Sequence, residues 1–187
     1  MNDTLLKIFI FVDDFCKNFE PNWNKLLLDF KHENSRNRKT ELCLSELMTI
    51  LLCFHLGDFK SFKSYYKFLI KYHRSEFPNL VSYTRIVELK SSCFIPLLIL
   101  FEIISASCDG ESYIDSTHLP ICHIKREHSH KTFKGTARKS KSTMGWYIVF
   151  KLHMIVNKFG HPISFSLTHA NCDDRKVPDN LFSILSV

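Results

Sequence analysis

Apolar positions in the first hundred residues recur with a helical period. Leu44, Leu47, Met48, Leu51 and Leu52 follow the i, i+3, i+4, i+7, i+8 spacing of one helix face, with Ser45 as a cap and Gly57 just past the end. From Lys60 to Tyr72, Phe62, Tyr65, Tyr66 and Leu69 fall on one side and Lys60, Lys63, Lys67 and Lys71 on the other. A loop through Glu76-Phe77-Pro78-Asn79 leads to Ser82, which reads as the N-cap of a third helix carrying Arg85 and Lys90. The run Cys93–Ser107 is strongly apolar, but it is short for a membrane span and contains Pro96 and Glu102, so a buried helix is predicted.

The period changes after Asp109-Gly110-Glu111. Tyr113 and Ile114 lead into Asp115 as a short first strand. Between Trp146 and Val156 the alternation is strict: Trp146, Ile148, Phe150, Leu152, Met154 and Val156 share one face, and Tyr147, Val149, Lys151, His153 and Ile155 the other. Asn157-Lys158-Phe159-Gly160-His161 reads as a hairpin loop, with Ile163, Phe165 and Leu167 alternating in the returning strand. Asn171 and Asp173-Asp174 suit a helix start, with Leu181, Phe182, Ile184 and Leu185 as its apolar stripe. The chain therefore reads as α+β: a helical region over 1–107, then a strand-rich domain over 108–187.

Composition allows a real core, with 187 residues, 45% of them hydrophobic and 17 Phe, and it excludes a disordered tail. Lys plus Arg outnumber Asp plus Glu by 25 to 19, a mild bias toward polyanionic partners. The seven Cys are scattered with no CxxC pair, which fits reduced thiols and a cytoplasmic setting. Asp13-Asp14 interrupts the first apolar stretch, so no signal peptide is read and no membrane partner is expected.

Two features bear on chemistry. Asp115, at a strand end, is a carboxylate suited to share a divalent cation with phosphate oxygens. After it, His123 to Lys141 holds Lys125, Arg126, Lys131, Lys134, Arg138, Lys139 and Lys141 against the single acid Glu127, a pattern that suits phosphate contact. The plainer reading of such a run is a solvated loop. Lys151 and His153 share a strand face and are either DNA contacts or half-exposed strand residues. His118, Cys122, His123, His128 and His130 cluster, but their spacing fits no regular zinc module. Ser116 and Thr117 lack the surroundings of a hydroxyl nucleophile and are expected to orient Asp115 by hydrogen bonds. The two basic helices before and after residues 73–82 fit either a helix-turn-helix with a long turn or an amphipathic bundle whose lysines face water.

The string YIDSTHLPICHIKR, followed by HKTFKGTARKSKSTMGWYIVFKLHMIVNKFGHPISFSLTHANCDDRKVP, resembles the catalytic core of bacterial DDE transposases, the insertion-sequence-982 family above all. LSELMTILLCFHLGDFKSFKSYY resembles the helical N-terminal region of that family. The resemblance implies a ribonuclease-H-like mixed α/β catalytic domain in which three acids hold two Mg²⁺ or Mn²⁺ ions for attack on a phosphodiester. It also implies double-stranded DNA, in the form of terminal inverted repeats, as partner, a homodimer as assembly, and the bacterial cytoplasm as location. Asp115 matches the first acid. The second acid of such domains follows a fourth core strand and the third sits on a later helix, so the expectation is a C-terminally truncated domain, inactive in cleavage. A non-catalytic DNA-binding or dimerising protein that regulates an intact transposase is the alternative. Asp174 is kept as a candidate second acid, with helix capping as its plainer role.

Overall fold

The structure is a computed structural model that describes residues 3–29, 41–107, 110–129, 131, 133, 136–142 and 145–170. It divides into two compact units, Met1–Phe101 and Glu102–Val187. Helices make the first and an antiparallel sheet the second, so the fold is α+β.

The first unit opens with α1 (Asp3–Asp29), which the sequence reading passed over. Its Leu5, Val12 and Cys16 lie three or four residues, or a multiple of a turn, apart and are buried, whereas Asp3–Lys7 and Asp13–Lys17 form i,i+4 ion pairs on the exposed side. Cys16 meets α2 (Leu44–Leu56) through its Sγ, 3.8 Å from Met48 Sδ. Cys43, not Ser45, caps α2. Its Sγ accepts from Glu46 N–H at 3.4 Å, while Glu46 Oε2 accepts from Cys43 N–H at 3.0 Å, a reciprocal capping box with sulfur as the acceptor. Ser45 is buried inside the first turn.

Two serine caps start the next helices. Ser61 Oγ accepts from Ser64 N–H at 3.2 Å at the head of α3 (Phe62–Tyr72), and Ser82 Oγ accepts from Arg85 N–H at 3.4 Å at the head of α4 (Tyr83–Leu89). The intervening turn is tied down at three points. Tyr66 Oη donates to Val81 O at 2.8 Å, Arg74 Nη1 donates to Leu80 O at 2.7 Å, and His73 Nδ1 meets Glu76 Oε2 at 2.6 Å. Phe77 and Leu80 of this turn are buried. Aromatic edges knit the helices together, with Phe54 perpendicular to Phe62 at 5.3 Å and Phe59 tilted on Tyr65 at 4.9 Å. Lys63, Lys67 and Lys71 of α3 are exposed, and Lys90 lies 3.4 Å over the Phe62 ring. After a 3-10 turn (Lys90–Cys93), α5 (Phe94–Ile104) buries only Pro96 and Leu100. The expected buried helix is thus largely open: Phe94, Ile95, Ile103 and Ile104 are exposed.

In the second unit β1 (Ser112–His123) runs antiparallel to β3 (Gly145–Asn157) along nearly its whole length. The other edge of β3 is shared by β2 (Arg138–Ser142), paired with its first part, and β4 (Pro162–His169), paired with its second. The three long strands are those expected and pair as an antiparallel meander, and β2 is an addition that the charge run concealed. The hairpin before β4 is closed by Asn157, whose Oδ1 accepts from Phe159 N–H and His161 N–H, while Gly160 takes φ 79°.

Burial in β3 reverses the apparent pattern. Val149, Lys151, His153, Ile155 and Asn157 are buried, whereas on the apolar-looking face Ile148 is buried but Trp146 and Met154 are exposed, 51% and 36%. The segment before β1 contributes to this choice: Ala106 packs on Ile155 and Ile163, and its N–H donates to Pro162 O at 3.0 Å.

Candidate functional site

Asp115 is the fourth residue of a twelve-residue strand, not its tip. The expectation of a strand ending at the acid is corrected because β1 continues to pair with β3 through His123, with one register shift between Pro120 and Cys122. Asp115 lies opposite Met154, which lies opposite Phe165 on β4. Cross-strand partners point to the same side of a sheet, so the carboxylate stands among exposed apolar side chains. The acid itself is exposed, and its Oδ1 accepts from the Ser116 backbone N–H at 2.7 Å. The amide of Ser116, rather than its hydroxyl, supplies that hydrogen bond.

The basic residues gather at the opposite end of the sheet. Lys125 and Arg126 sit in a 3-10 turn (Ile124–Arg126) directly after β1, and Arg138, Lys139 and Lys141 lie on β2. All five are exposed, as is Lys131. Lys139 Nζ lies 2.7 Å from Glu127 Oε2, so the lone acid of the segment is paired with one of its cations. Asp115 is level with Met154 and Lys139 with Ile148, six residues apart on β3, which places the cations about 20 Å along the sheet from the acid. Closeness in sequence does not bring them together in space.

Lys151 and His153 also differ from expectation. As strand residues they were to be half-exposed or open to DNA, but Lys151 is 8% exposed and His153 fully covered. On the neighbouring strands His118 and Thr168 flank Lys151, and Ser116 and Ser166 flank His153. His153 Nε2 meets Thr168 Oγ1 at 2.8 Å, and His118 Nε2 lies 3.4 Å from Ser140 Oγ. The result is a polar row, partly buried, on the side of the sheet facing away from Asp115. Sequence reasoning named His118 only as a zinc candidate. The recurrence of Ser, His and Thr at alternate positions of β1 and β4 was the available signal for the row.

Asp174 and Lys134 lie outside the described residues. Among the described residues no three His, Cys, Asp or Glu side chains come together as a group able to hold a metal ion. Asp115 alone does not make the two-ion site that the resemblance implies, and Asp173 lies with Asp174 outside the described residues. Of the histidine and cysteine cluster, His118, Cys122, His123 and His128 are described and His130 is not. The five described cysteines are free thiols, and no described helix is long and apolar enough to cross a membrane.

No curated protein and no solved structure shows a significant match to the chain. Residues 105–186, nearly the whole second unit but less than half of the chain, match the family model for a transposase DDE domain.

Proposed function

We propose that the chain serves DNA transposition of the insertion-sequence-982 type, its basic segment gripping duplex DNA at the terminal inverted repeats of a mobile element. The observation that carries this reading is the group of exposed cations, Lys125, Arg126, Lys131, Arg138 and Lys141, at one end of the sheet within the matched region. Each such cation that meets a phosphate releases condensed counterions, so binding of this kind is strongly salt-dependent. Asp115 would then be the first acid of the catalytic set, on the strand adjoining the basic segment.

The test is a gel-shift titration of a duplex carrying the repeats that flank the coding frame, against salt. Replacing Lys125, Arg126, Arg138 and Lys141 together by Ala is expected to weaken binding by more than tenfold and to lower the salt slope by roughly one per lost contact. An unchanged slope would remove the basic segment from the interface. Lys139 is the internal control, because Glu127 already neutralises it.

A second reading, DNA binding without cutting, is favoured by the separation of Asp115 from the cations. The two readings part on nicking of the bound duplex in Mg²⁺ or Mn²⁺. Nicking that disappears in Asp115→Asn supports the enzyme, and retained binding with no nicking supports the binder.

A further inference from the structure

The hairpin between β3 and β4 holds out an aromatic ring that belongs to neither core cluster. Phe159, in its turn, is 69% exposed, more than any other Phe, Tyr or Trp among the described residues. A single exposed apolar side chain is ordinary on a protein surface. This one differs because the turn that carries it is fixed. Asn157, itself 6% exposed, accepts through Oδ1 from Phe159 N–H at 3.0 Å and from His161 N–H at 2.9 Å. Its own N–H donates to His161 O at 2.9 Å, and Gly160 N–H donates to Asn157 O at 2.9 Å. With the backbone held in this way, a partner that covers the ring orders little that is not already ordered.

The surroundings of the ring say what kind of partner that is. Lys158 Nζ lies over the Phe159 ring, 5.1 Å from its centroid, and the His161 ring is tilted against it at 6.2 Å. All three side chains are exposed, and residues 155–170 contain no Asp or Glu. An aromatic ring beside a cation is the combination that holds an unstacked nucleobase together with its phosphate. Strand β3 fixes where the tip lies. Lys139 of the basic segment is level with Ile148, Asp115 is level with Met154, and the turn begins at Asn157. The tip therefore stands about 30 Å along the strand from the cations, with the acid between them. B-DNA repeats about every 34 Å, so a duplex lying along β3 meets the cations and the tip about one helical turn apart.

We propose that Phe159 stacks on a nucleobase displaced from the duplex, with Lys158 against the phosphate of the same nucleotide. This rests on the reading that the basic segment grips duplex DNA, and it adds to that grip a preference for DNA opened at one base. Phosphate contacts carry no information about pairing, because they meet only the backbone. A ring on a fixed tip does discriminate. It finds a free base face where the helix is already open, whereas in closed duplex a base has first to be unstacked. Every base has such a face, so the preference is for the opening and not for its sequence.

The experiment uses the full chain in gel shifts with three versions of the duplex that carries the flanking repeats. One is fully paired, one has a single bulged adenine, and one has the same bulge with the base removed. The parent is expected to bind the adenine bulge about tenfold more tightly than the abasic bulge, the worth of one base stacked on one ring. Phe159→Ala should make the two bulges equal while leaving the paired duplex and the melting temperature unchanged, since the ring packs in neither core cluster. Phe159→Trp should keep the preference. Replacing Lys125, Arg126, Arg138 and Lys141 together by Ala should weaken all three duplexes in parallel and preserve the ratio between the bulges. Equal binding of the two bulges by the parent, or a preference that survives in Phe159→Ala, would overturn the stacking and leave the grip of the basic segment standing. A chain that shifts none of the duplexes at low salt would overturn both. Sedimentation with phosphatidylglycerol vesicles covers the other surface that suits a cation beside a ring. Vesicle binding that Phe159→Ala loses, with no bulge preference in the parent, would assign the tip to a membrane and overturn the proposal.

Discussion

The two units solve the problem of burial in opposite ways. In the helical unit one continuous cluster runs from Leu5 on α1 through Met48, Leu69 and Phe77 to Leu100 on α5, bordered by further, partly buried apolar side chains. In the sheet unit the corresponding cluster is Ile155 and Ile163, with Ala106 against them. Among its described residues the second unit also buries Ile148, Val149 and Ala170, and beside them the polar Lys151, His153, Asn157 and Ser164. Its large apolar side chains, Trp146, Phe165 and Leu167 among them, stay at the surface. Stability follows apolar area removed from water, so the first unit is expected to carry its own fold and the second to lean on its strand pairing.

The largest expected effect lies in the helical core. Phe77 is 2% exposed and fills the turn between α3 and α4. Phe77→Ala should cost about 3–5 kcal/mol, read as a lowered urea midpoint of the helical signal. In the sheet unit, whose core is so small, Ile163→Ala should leave that midpoint untouched, because it removes contacts from a separate cluster. A single sharp transition in which both substitutions shift both signals equally would erase the distinction between the units.

Alkaline pH sharpens the same contrast. Burial pushes the Cys16 thiol up to about 12 and the Cys93 thiol to about 11, against an ordinary 9.0. Above pH 9 the unfolded chain therefore gives up these protons while the folded helical unit keeps them. With fewer protons bound in the unfolded state, stability falls as pH rises from 9 toward 11 and 12. Denaturation midpoints of the helical unit should decline over that window, and Cys16→Ala combined with Cys93→Ala should flatten the decline. An equally steep decline in the double variant would trace the loss to other groups.

How legible each unit was in the sequence follows from the same difference. Helices α2, α3 and α4 announce themselves because their information is local: an apolar stripe plus Ser61 or Ser82 placed three residues before an amide it can cap. Even the displaced cap of α2 is a local matter, since Cys43 and Glu46 do what Ser45 was expected to do. The long α1 went unread because Asp13-Asp14 broke its apolar run. Those acids are in fact one side of an amphipathic helix, paired to Lys17. In the sheet, alternation located β3, β4 and their hairpin but could not say which face would be covered. Counting apolar side chains favoured the Trp146–Val156 face, whereas Ala106 packs on Ile155 on the other. For the same reason Asp115 was recognisable as chemistry but not as an exposed acid in an apolar face, and the distance from it to the cations is set by strand length, which the charge run hid.

Helix caps give a smaller effect that still separates the units. Ser61→Ala removes the side-chain acceptor at the head of α3 and should cost about 1 kcal/mol, with Ser82→Ala at α4 of similar size. Ser61→Asp should restore most of the loss, because the carboxylate accepts the same amide and favours the helix N-terminus. A Ser61→Ala chain as stable as the parent would mean that α3 is held by its aromatic packing alone.

The smallest effect on stability belongs to the open face of the sheet, and there the consequence is in solubility. Leu167 is 51% exposed and lies opposite Leu152 on the side that carries Asp115. Because so much of it already meets water, Leu167→Lys should change stability by less than about 0.5 kcal/mol. It interrupts the exposed apolar row of Leu167, Met154 and Phe165, so binding of a hydrophobic dye and loss to aggregation should both fall. Placing the same charge at Ile163, 2% exposed on the same strand, should unfold the sheet unit. If Leu167→Lys proved as damaging as Ile163→Lys, the face around Asp115 would be covered in solution, and the contrast between a closed helical unit and an open sheet would fail at its most exposed point.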